Sequence, residues 1–410
     1  MSEASATGRS RGVFLVSLAL WLVLIGGFVA IIQHNLSSKA PTTKTGPSGS
    51  GVFSHLYPAD PFPFERPPVG TTSPTAASIY RLHTGASATS IGKLVALSTP
   101  GSWIEISPKK WRLVKPLELG VGSTISLRGP LQIQIANGAF ILAQHNSILR
   151  LNDVQVSGVN SAGVSQIVPI TGRGFIDARS GALLQLAHSS FSNLGYLGDQ
   201  TYGITIDGGA SMSYLRHCVV RGDVFGVYIG RAHNVTVANN QFINSVIYGI
   251  DPHTYDSHLL IVDNTVTGSG VHGIVIADHV TDSVISNNRV FGSRDHGIVL
   301  FQFADHNVIS NNRISGVFDA LVVTDSSNNM FELNVISSVA RFGIRVSGSS
   351  SGNLMKSNSI TGGLVGIYVY QGASGNQFIS NDFRHIYENM RIRFDAPNNT
   401  VSPNPGRSEL

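Results

Sequence analysis

The chain has 410 residues, of which 13% are charged and 42% hydrophobic, with 44 glycines and a formal net charge of +4. So low a charge content excludes a coiled coil and a charge-rich disordered protein. The single cysteine excludes a disulfide framework or a cysteine-based zinc site, and the small basic excess permits a polyanionic partner.

The first predicted element is a membrane segment at residues 12–32, which carry no charged side chain. Its 21 residues match the roughly 20 apolar residues that cross a bilayer core. Arg9 and Arg11 precede it and the next basic side chain apart from His34 is Lys39, so the positive-inside rule places residues 1–11 in the cytoplasm. We expect residues 1–34 to form a retained single-pass anchor, since no small-residue cleavage site follows.

A linker and a large extracytoplasmic domain follow the anchor. Residues 35–77 are rich in Ser, Thr, Pro and Gly and cannot bury enough apolar surface to fold alone. We assign residues 78–398 to one folded domain on the periplasmic or extracellular side of the membrane, and residues 399–410 to a C-terminal tail.

The folded domain contains a repeat of about 23 residues. Each unit has an aromatic, histidine or similar residue, then usually Gly, then an aliphatic residue. Successive units begin 23, 23, 24, 24, 23, 23 and 23 residues apart, at Tyr202, Phe225, Tyr248, His272, His296, Asp319, Phe342 and Val365. Spacing this regular indicates a solenoid.

A second column of asparagines supports the same architecture. Each follows a short strand-like run, and the column comprises Asn240, Asn264, Asn288, Asn312, Asn334 and Asn358. Short strands with Gly, Asn, Asp and Ser at the turns predict an all-β fold, a right-handed parallel β-helix whose stacked asparagines hydrogen-bond between coils. Propeller blades need about 40 residues, and a leucine-rich consensus is absent.

One coil breaks the regular alternation. Counting from the Gly, the first and third positions are aliphatic in most coils and must point inward, so the second and fourth point outward. In the coil Tyr248-Gly-Ile-Asp-Pro-His253, Pro252 replaces the inward aliphatic residue, and Asp251 and His253 share the outward face. Proline inside a sheet marks a local departure from regular pairing, and such departures are concentrated at functional sites.

Neighbouring coils place further polar side chains within reach of this unit. Stacking at about 4.8 Å per coil brings up the candidate substrate-binding residues Tyr228, Arg231, His272, Arg294 and His296. Arg345, Tyr368 and Tyr370 lie on the same face at more remote coils. A long face of polar and aromatic side chains suits a linear anionic polysaccharide, and we predict no nucleic-acid partner.

The motif at Tyr248–His253, followed by His272-Gly in the next coil, resembles the mannuronan C5-epimerases, which convert mannuronate to guluronate within polymeric alginate. The resemblance extends from about residue 202 to residue 316. It implies that His253 is the base or proton relay, that Tyr248 is the opposing proton donor, and that Asp251 orients His253 or contacts the substrate. No calcium-binding nonapeptide repeat occurs, so neither a metal nor a cofactor is expected.

The chain departs from this family at one important position. The family places an arginine, which neutralises the substrate carboxylate, on the coil after the Asp-Pro-His tripeptide. The corresponding positions here hold Val271 and Asp278. We expect Arg231, Arg294 or Arg216 to supply the cation from another coil, unless the substrate or the activity differs.

Three functions are compatible with these residues. The leading hypothesis is a membrane-anchored epimerase of mannuronate-type polymers, with an exopolysaccharide secretion complex as a further partner. A polyuronate lyase would remove the same proton and then eliminate the 4-oxygen. A β-helix that binds the polymer without catalysis is the third reading.

Overall fold

The computed structural model describes residues 79–165, 172–198 and 200–402. The predicted anchor, the linker at residues 35–77 and most of the predicted tail lie outside these ranges. Within them, no helix combines the length and apolarity needed to cross a membrane.

The described chain folds into strands connected by short turns, with one short helix. The helix α1 comprises Ile91–Leu97. The strands are β1 (Tyr80–Arg81), β2 (Ser87–Ala88), β3 (Trp103–Ser107), β4 (Lys110–Leu113), β5 (Leu117–Leu119), β6 (Thr124–Ala136), β7 (Phe140–Ala143), β8 (Ile148–Val159), β9 (Phe175–Ala178), β10 (Leu183–Ala187), β11 (Ser190–Ser192), β12 (Gly203–Asp207), β13 (Tyr214–Arg216), β14 (Val219–Arg221), β15 (Phe225–Gly230), β16 (Thr236–Ala238), β17 (Gln241–Ile243), β18 (Ile250–Pro252), β19 (Leu260–Val262), β20 (Thr265–Thr267), β21 (Ile274–Ala277), β22 (Val284–Ser286), β23 (Arg289–Phe291), β24 (His296–Phe301), β25 (Val308–Ser310), β26 (Arg313–Thr324), β27 (Met330–Glu332), β28 (Val335–Ser347), β29 (Leu354–Lys356), β30 (Ser359–Thr361), β31 (Val365–Val369), β32 (Gln377–Ile379), β33 (Asp382–Arg384), β34 (Glu388–Ile392) and β35 (Thr400–Val401).

These strands form three parallel sheets that the chain visits in turn over about 12 turns. Sheet A contains β1, β5, β7, β9, β12, β15, β18, β21, β24, β31, β34 and the second halves of β26 and β28. Sheet B runs from β2 through β10, β13 and β16 to β35, and sheet C runs from β4 through β11, β14 and β17 to β33. Only β3 and β4 pair antiparallel among the named strands. The predicted parallel β-helix is confirmed.

The inward positions of sheet A form the core, as the alternation predicted. Ile204, Val227, Ile274 and Ile298 have no exposed surface, and each pairs in register with the aliphatic residue of a neighbouring coil. Burying an aliphatic side chain of this size contributes roughly 1.5–3 kcal/mol. Every coil therefore adds to one continuous apolar column.

Most units of the repeat have a glycine at a closely packed position of sheet A. A Cβ atom added to Gly249 would lie 2.3 Å from Val266 Cγ1 and 2.6 Å from the carbonyl oxygen of Gly273. Gly273 meets the equivalent atoms of Val290 and Gly297 at the same distances. A Cβ at either position would require its neighbours to shift, although the unit that begins at Asp319 has the fully buried Ala320 at the equivalent position.

Asparagine ladders close the turn between sheets B and C, as expected. Each Asn amide nitrogen donates to the side-chain oxygen of the next Asn and to a backbone carbonyl of the preceding coil, as Asn264 does to Asn288 at 3.0 Å and to Val237 at 2.8 Å. The sequence reading missed a second ladder before sheet B, formed by Ser283, Asn307, Asn329, Asn353, Asn376 and Asn399. Both ladders satisfy buried backbone groups that no strand partner reaches.

The N-terminal end of the described domain is covered by α1 and the β3–β4 hairpin. Ser90 caps the helix by accepting a hydrogen bond from the Lys93 amide, and Leu94 joins the core. Trp103 on β3 is also buried there. This arrangement covers apolar side chains that would otherwise face water at the first coil.

Candidate active site

The outward columns of sheet A have the register that the sequence predicted. Tyr228 pairs with Asp251, and His253 pairs with Ala277. Pro252 interrupts the sheet as expected, because β18 pairs with β21 at a single position, Ile250 with Ile274. Asp251 and His253 therefore lie on one face of a locally irregular strand.

A column of stacked rings borders this face at the start of each sheet A strand. Centroids of neighbouring rings are 4.6–5.2 Å apart, and the column contains Tyr202, Phe225, Tyr248, His272 and His296. Its next position is Asp319, whose Oδ2 lies 3.7 Å from Nδ1 of His296. The candidate residues His272 and His296 thus continue a ring stack that includes Tyr248.

Asp251 is buried without a hydrogen-bond partner. Its exposed fraction is 1%, and neither carboxyl oxygen has a hydrogen-bond partner within the described part of the chain. Burial raises the pKa of Asp251 well above its ordinary value, because the charged form loses its hydration. The Asp251 carboxyl therefore makes no hydrogen bond to His253 within the described residues, and its two expected roles, orienting His253 and contacting the substrate, stay predictions.

His253 is held by the turn that follows it. Its Nδ1 lies 2.7 Å from the hydroxyl of Thr254, and its backbone amide donates to the buried carboxyl of Asp256 at 3.0 Å. Burial lowers the pKa of His253 to about 4, against a smaller upward effect of Asp278. The imidazole is neutral near pH 7 and can accept a proton.

Two tyrosines lie close to Asp251. Tyr248 belongs to the ring stack, whereas the Tyr228 ring lies 6.3 Å from the His253 ring. Gly230 leaves room for Tyr228, since a Cβ there would lie 3.0 Å from the tyrosine hydroxyl. Burial and the nearby Asp251 raise the pKa of both phenols, so both carry a proton near pH 7.

The three arginines considered as the missing cation occupy different places. Arg231 holds the buried Asp207, with Nη2 and Oδ2 2.5 Å apart. Arg294 is exposed in the turn before His296. Arg216 lies on β13 in sheet B, over the Tyr214 ring. The prediction that it could supply the cation at the sheet A site is therefore wrong. The polypeptide turns from sheet A to sheet B before it reaches Arg216.

The contacts of two residues near the site were not predicted from the sequence. Thr254 could have been noticed as a hydroxyl next to His253, although only the turn conformation brings the two groups together. Asp319 replaces an aromatic residue in the repeat, which was a visible signal, and it accepts two hydrogen bonds from Arg341 at 3.0 and 2.7 Å. That ion pair joins neighbouring coils and depends on side-chain conformation.

Acid should destabilise the folded protein through its buried histidines. Burial and the nearby Arg345 and Arg341 lower the pKa of His296 to about 3. Unfolded histidine titrates near 6.5, so between about pH 6.5 and pH 3 the unfolded chain binds the additional proton and stability falls with pH. The substitution His296→Phe introduces a ring that the same column already contains at Phe225 and Phe342. In thermal melts, its free energy of unfolding should fall by about 2 kcal/mol less than that of wild type between pH 7 and pH 4.5. Parallel pH profiles for the two proteins would contradict this assignment.

The buried carboxyl of Asp251 should cost stability. Because its folded-state pKa is raised, the cost grows as the pH rises above the ordinary aspartate value. We expect Asp251→Asn to increase the free energy of unfolding by about 1 kcal/mol at pH 8, with a smaller gain at pH 5. Asp263→Asn, at an exposed turn, is the matched control and should leave the melting temperature unchanged. A lower free energy of unfolding for Asp251→Asn than for wild type would contradict the prediction that the buried carboxyl costs stability.

Comparison with known proteins supports the resemblance read from the motif. Residues 255–383 match the family described as right handed beta helix region, and residues 133–305 match the periplasmic copper-binding protein (NosD) family. Mannuronan C5-epimerase of Pseudomonas aeruginosa is 27% identical over 187 residues, which cover 41% of this chain and 34% of that protein. Mannuronan C5-epimerase AlgG of Azotobacter vinelandii is 26% identical over 195 residues, which cover 43% of this chain and 37% of the relative. The matched region spans about a third of the length of these relatives.

The fold is similar to that of a solved epimerase. A crystal structure of the periplasmic alginate epimerase AlgG superposes with a TM-score of 0.73, covering 78% of this chain and 84% of that chain at 19% identity. At this identity the likeness establishes the fold. The resemblance to the mannuronan C5-epimerases and the right-handed β-helix are both confirmed.

Proposed function

We propose that this relative of the mannuronan C5-epimerases inverts C5 of mannuronate-type residues in an anionic polysaccharide. The observation that carries the proposal is the coil Tyr248–His253, where a neutral imidazole and a buried carboxyl share one face of sheet A and a protonated phenol lies in the ring stack that borders it. The sequence relationship to enzymes of that name supports the same reaction.

In the proposed mechanism, His253 accepts the C5 proton on one side of the sugar ring. In the tautomer in which Nδ1 donates to the Thr254 hydroxyl, Nε2 is the atom that accepts the proton. The C5–H bond breaks, and its electron pair delocalises into the carboxylate. Tyr248 then donates a proton to the opposite face of C5. Solvent afterwards takes the proton from the His253 imidazolium and returns one to the Tyr248 phenolate.

Asp251 would stabilise the intermediate in place of the usual arginine. A protonated carboxyl can donate a hydrogen bond to the substrate carboxylate as negative charge accumulates there, and the raised pKa of Asp251 favours that form. Arg231 is the nearest of the proposed cations along the repeat, since its amide bonds the carbonyl of Thr254, but its guanidinium already holds Asp207. Val271 is apolar and Asp278 is acidic, so neither residue supplies the positive charge.

We also propose that the β-helix acts on the periplasmic or extracellular side of a membrane, tethered by residues 12–32. The charge-free run of that segment and the periplasmic description of the epimerase with the same fold support this location. An exopolysaccharide secretion complex remains the proposed partner at that site.

Product analysis separates this proposal from the lyase and from simple binding. The full-length protein is incubated with polymannuronate and followed by proton NMR and ultraviolet absorbance. New guluronate signals without unsaturated chain ends support the epimerase, whereas unsaturated ends support the lyase. Retention of the polymer with neither product would identify a binding protein and overturn the catalytic proposal.

A further inference from the structure

The outward face of sheet A changes character along the stack of coils. Beyond Asp251, the same column continues through three valines, Val275, Val299 and Val322, to Arg345. The valines are buried, and the ring column beside them contributes His272 and His296, whose lowered pKa values leave them neutral near pH 7. Arg345 is therefore the first fixed positive charge that this column reaches after Asp251.

Arg345 lies next to the carboxylate of Asp319, which already accepts hydrogen bonds from Arg341. Arg341 makes both side-chain hydrogen bonds to the Asp319 carboxylate, and the Phe342 amide adds a third. Nε of Arg345 lies 3.6 Å from the same carboxylate, beyond hydrogen-bond range, and has no hydrogen-bond partner among the described residues. The side chain is 19% exposed.

The charges on the other side of Asp251 do not favour an anionic chain. Arg179 and Arg231 directly follow sheet A strands in the preceding coils, and each is bound to a buried aspartate, at 2.6 and 2.5 Å. A polyanion extending in that direction would meet ion pairs that are already neutral. Toward the C-terminal coils it reaches Arg345, because the pair Arg341–Asp319 leaves one guanidinium in excess.

We propose that Arg345 forms a distal subsite that binds the carboxylate of a uronate residue remote from the reacting one, so that the polymer runs from His253 toward the C-terminal coils. Four coil steps separate Asp251 from Arg345, or roughly 19 Å at about 4.8 Å per coil. The subsite rests on the proposed function for its substrate class. It predicts that binding improves when an oligomer becomes long enough to span this distance.

The test compares Arg345→Gln with wild type on mannuronate oligomers of increasing length. The loss in kcat/KM should be smallest on the shortest oligomer and reach about tenfold, mainly through KM, once the oligomer spans the two sites. Arg345→Lys, which keeps the charge, should recover part of the loss. Arg313→Gln is the matched control, because Arg313 is exposed on sheet C. An equal loss at every length, or no length dependence in wild type, would overturn the subsite.

Binding provides a readout that does not depend on turnover. Calorimetric titration with polymannuronate should show weaker binding to Arg345→Gln than to wild type or Arg313→Gln, and a neutral mannan should not distinguish the three. If wild type binds the polymer without epimerising it, the proposed function fails while the subsite stands. Equal affinity of all three proteins for polymannuronate would overturn the subsite alone.

Discussion

Replacing His253 with Asn is expected to reduce the rate of C5 proton exchange by about 10²–10⁴, the range that a positioned general base contributes. The imidazole is buried and neutral, and its backbone amide is held by Asp256 independently of the side chain. Asn keeps a polar side chain of similar reach to Thr254 but cannot accept a proton from carbon. The rate is measured on polymannuronate at saturating concentration, so that kcat reports the chemical step.

The control for this substitution is a histidine outside the site. His385 is exposed in a turn with a positive φ of 51°, a conformation that Asn adopts readily, so His385→Asn should retain full activity. The melting temperature of His253→Asn should remain close to that of wild type. Activity within threefold of wild type would remove His253 from the proposed chemistry.

Replacing Asn288 with Ala should cost about 3–5 kcal/mol of stability. Its amide nitrogen donates to the carbonyl of Ile261 and to the side chain of Asn312, and its side-chain oxygen accepts from the backbone and side chain of Asn264. All of these groups are buried, and each one left without a partner costs about 1–3 kcal/mol. Denaturant unfolding followed by circular dichroism measures the loss.

Asn287 provides the matched control because it is adjacent in sequence but exposed, with a φ of 55°. Asn287→Gly removes a side-chain amide of the same kind without straining the backbone, and it should change the free energy of unfolding by about 0.5 kcal/mol or less. Equal effects of the two substitutions would show that the ladder contributes nothing beyond turn conformation.

The repeat made most of the architecture predictable from sequence. Alternation within a strand has a fixed period of two, so aligning the glycines assigned inward Ile204 and outward Asp251 correctly. The stacked rings of Tyr248 and His272 follow from the same alignment. Features that recur in every coil can therefore be predicted from the sequence alone.

The contacts that break the repeat were harder to predict. Whether Arg231 faces the substrate or Asp207 depends on side-chain conformation across two coils, and the ion pair is formed. The contact between His253 and Thr254 was not predicted, because it depends on the turn after Pro252, which brings the hydroxyl to Nδ1. The second ladder has a comparable signal in the sequence, since Asn307, Asn329, Asn353, Asn376 and Asn399 are 22–24 residues apart, but it was not predicted.

The site combines features that reduce stability with features that suit proton transfer. The buried carboxyl of Asp251 has a raised pKa, which costs folding free energy near neutral pH. The lowered pKa values of the buried histidines cost folding free energy only below about pH 6.5, where the unfolded chain takes up protons. Regular coils on either side supply compensating apolar burial. Such local exceptions within a regular fold are typical of functional positions.

Deuterium incorporation tests the central claim most directly. The full-length protein is incubated with polymannuronate in D₂O, and the product is analysed by NMR alongside the reaction of His253→Asn. We expect guluronate residues that carry deuterium at C5 with wild type, and none above background with the variant. Unchanged mannuronate with C5 fully protonated after wild-type treatment would contradict the proposal that this coil moves a proton at C5.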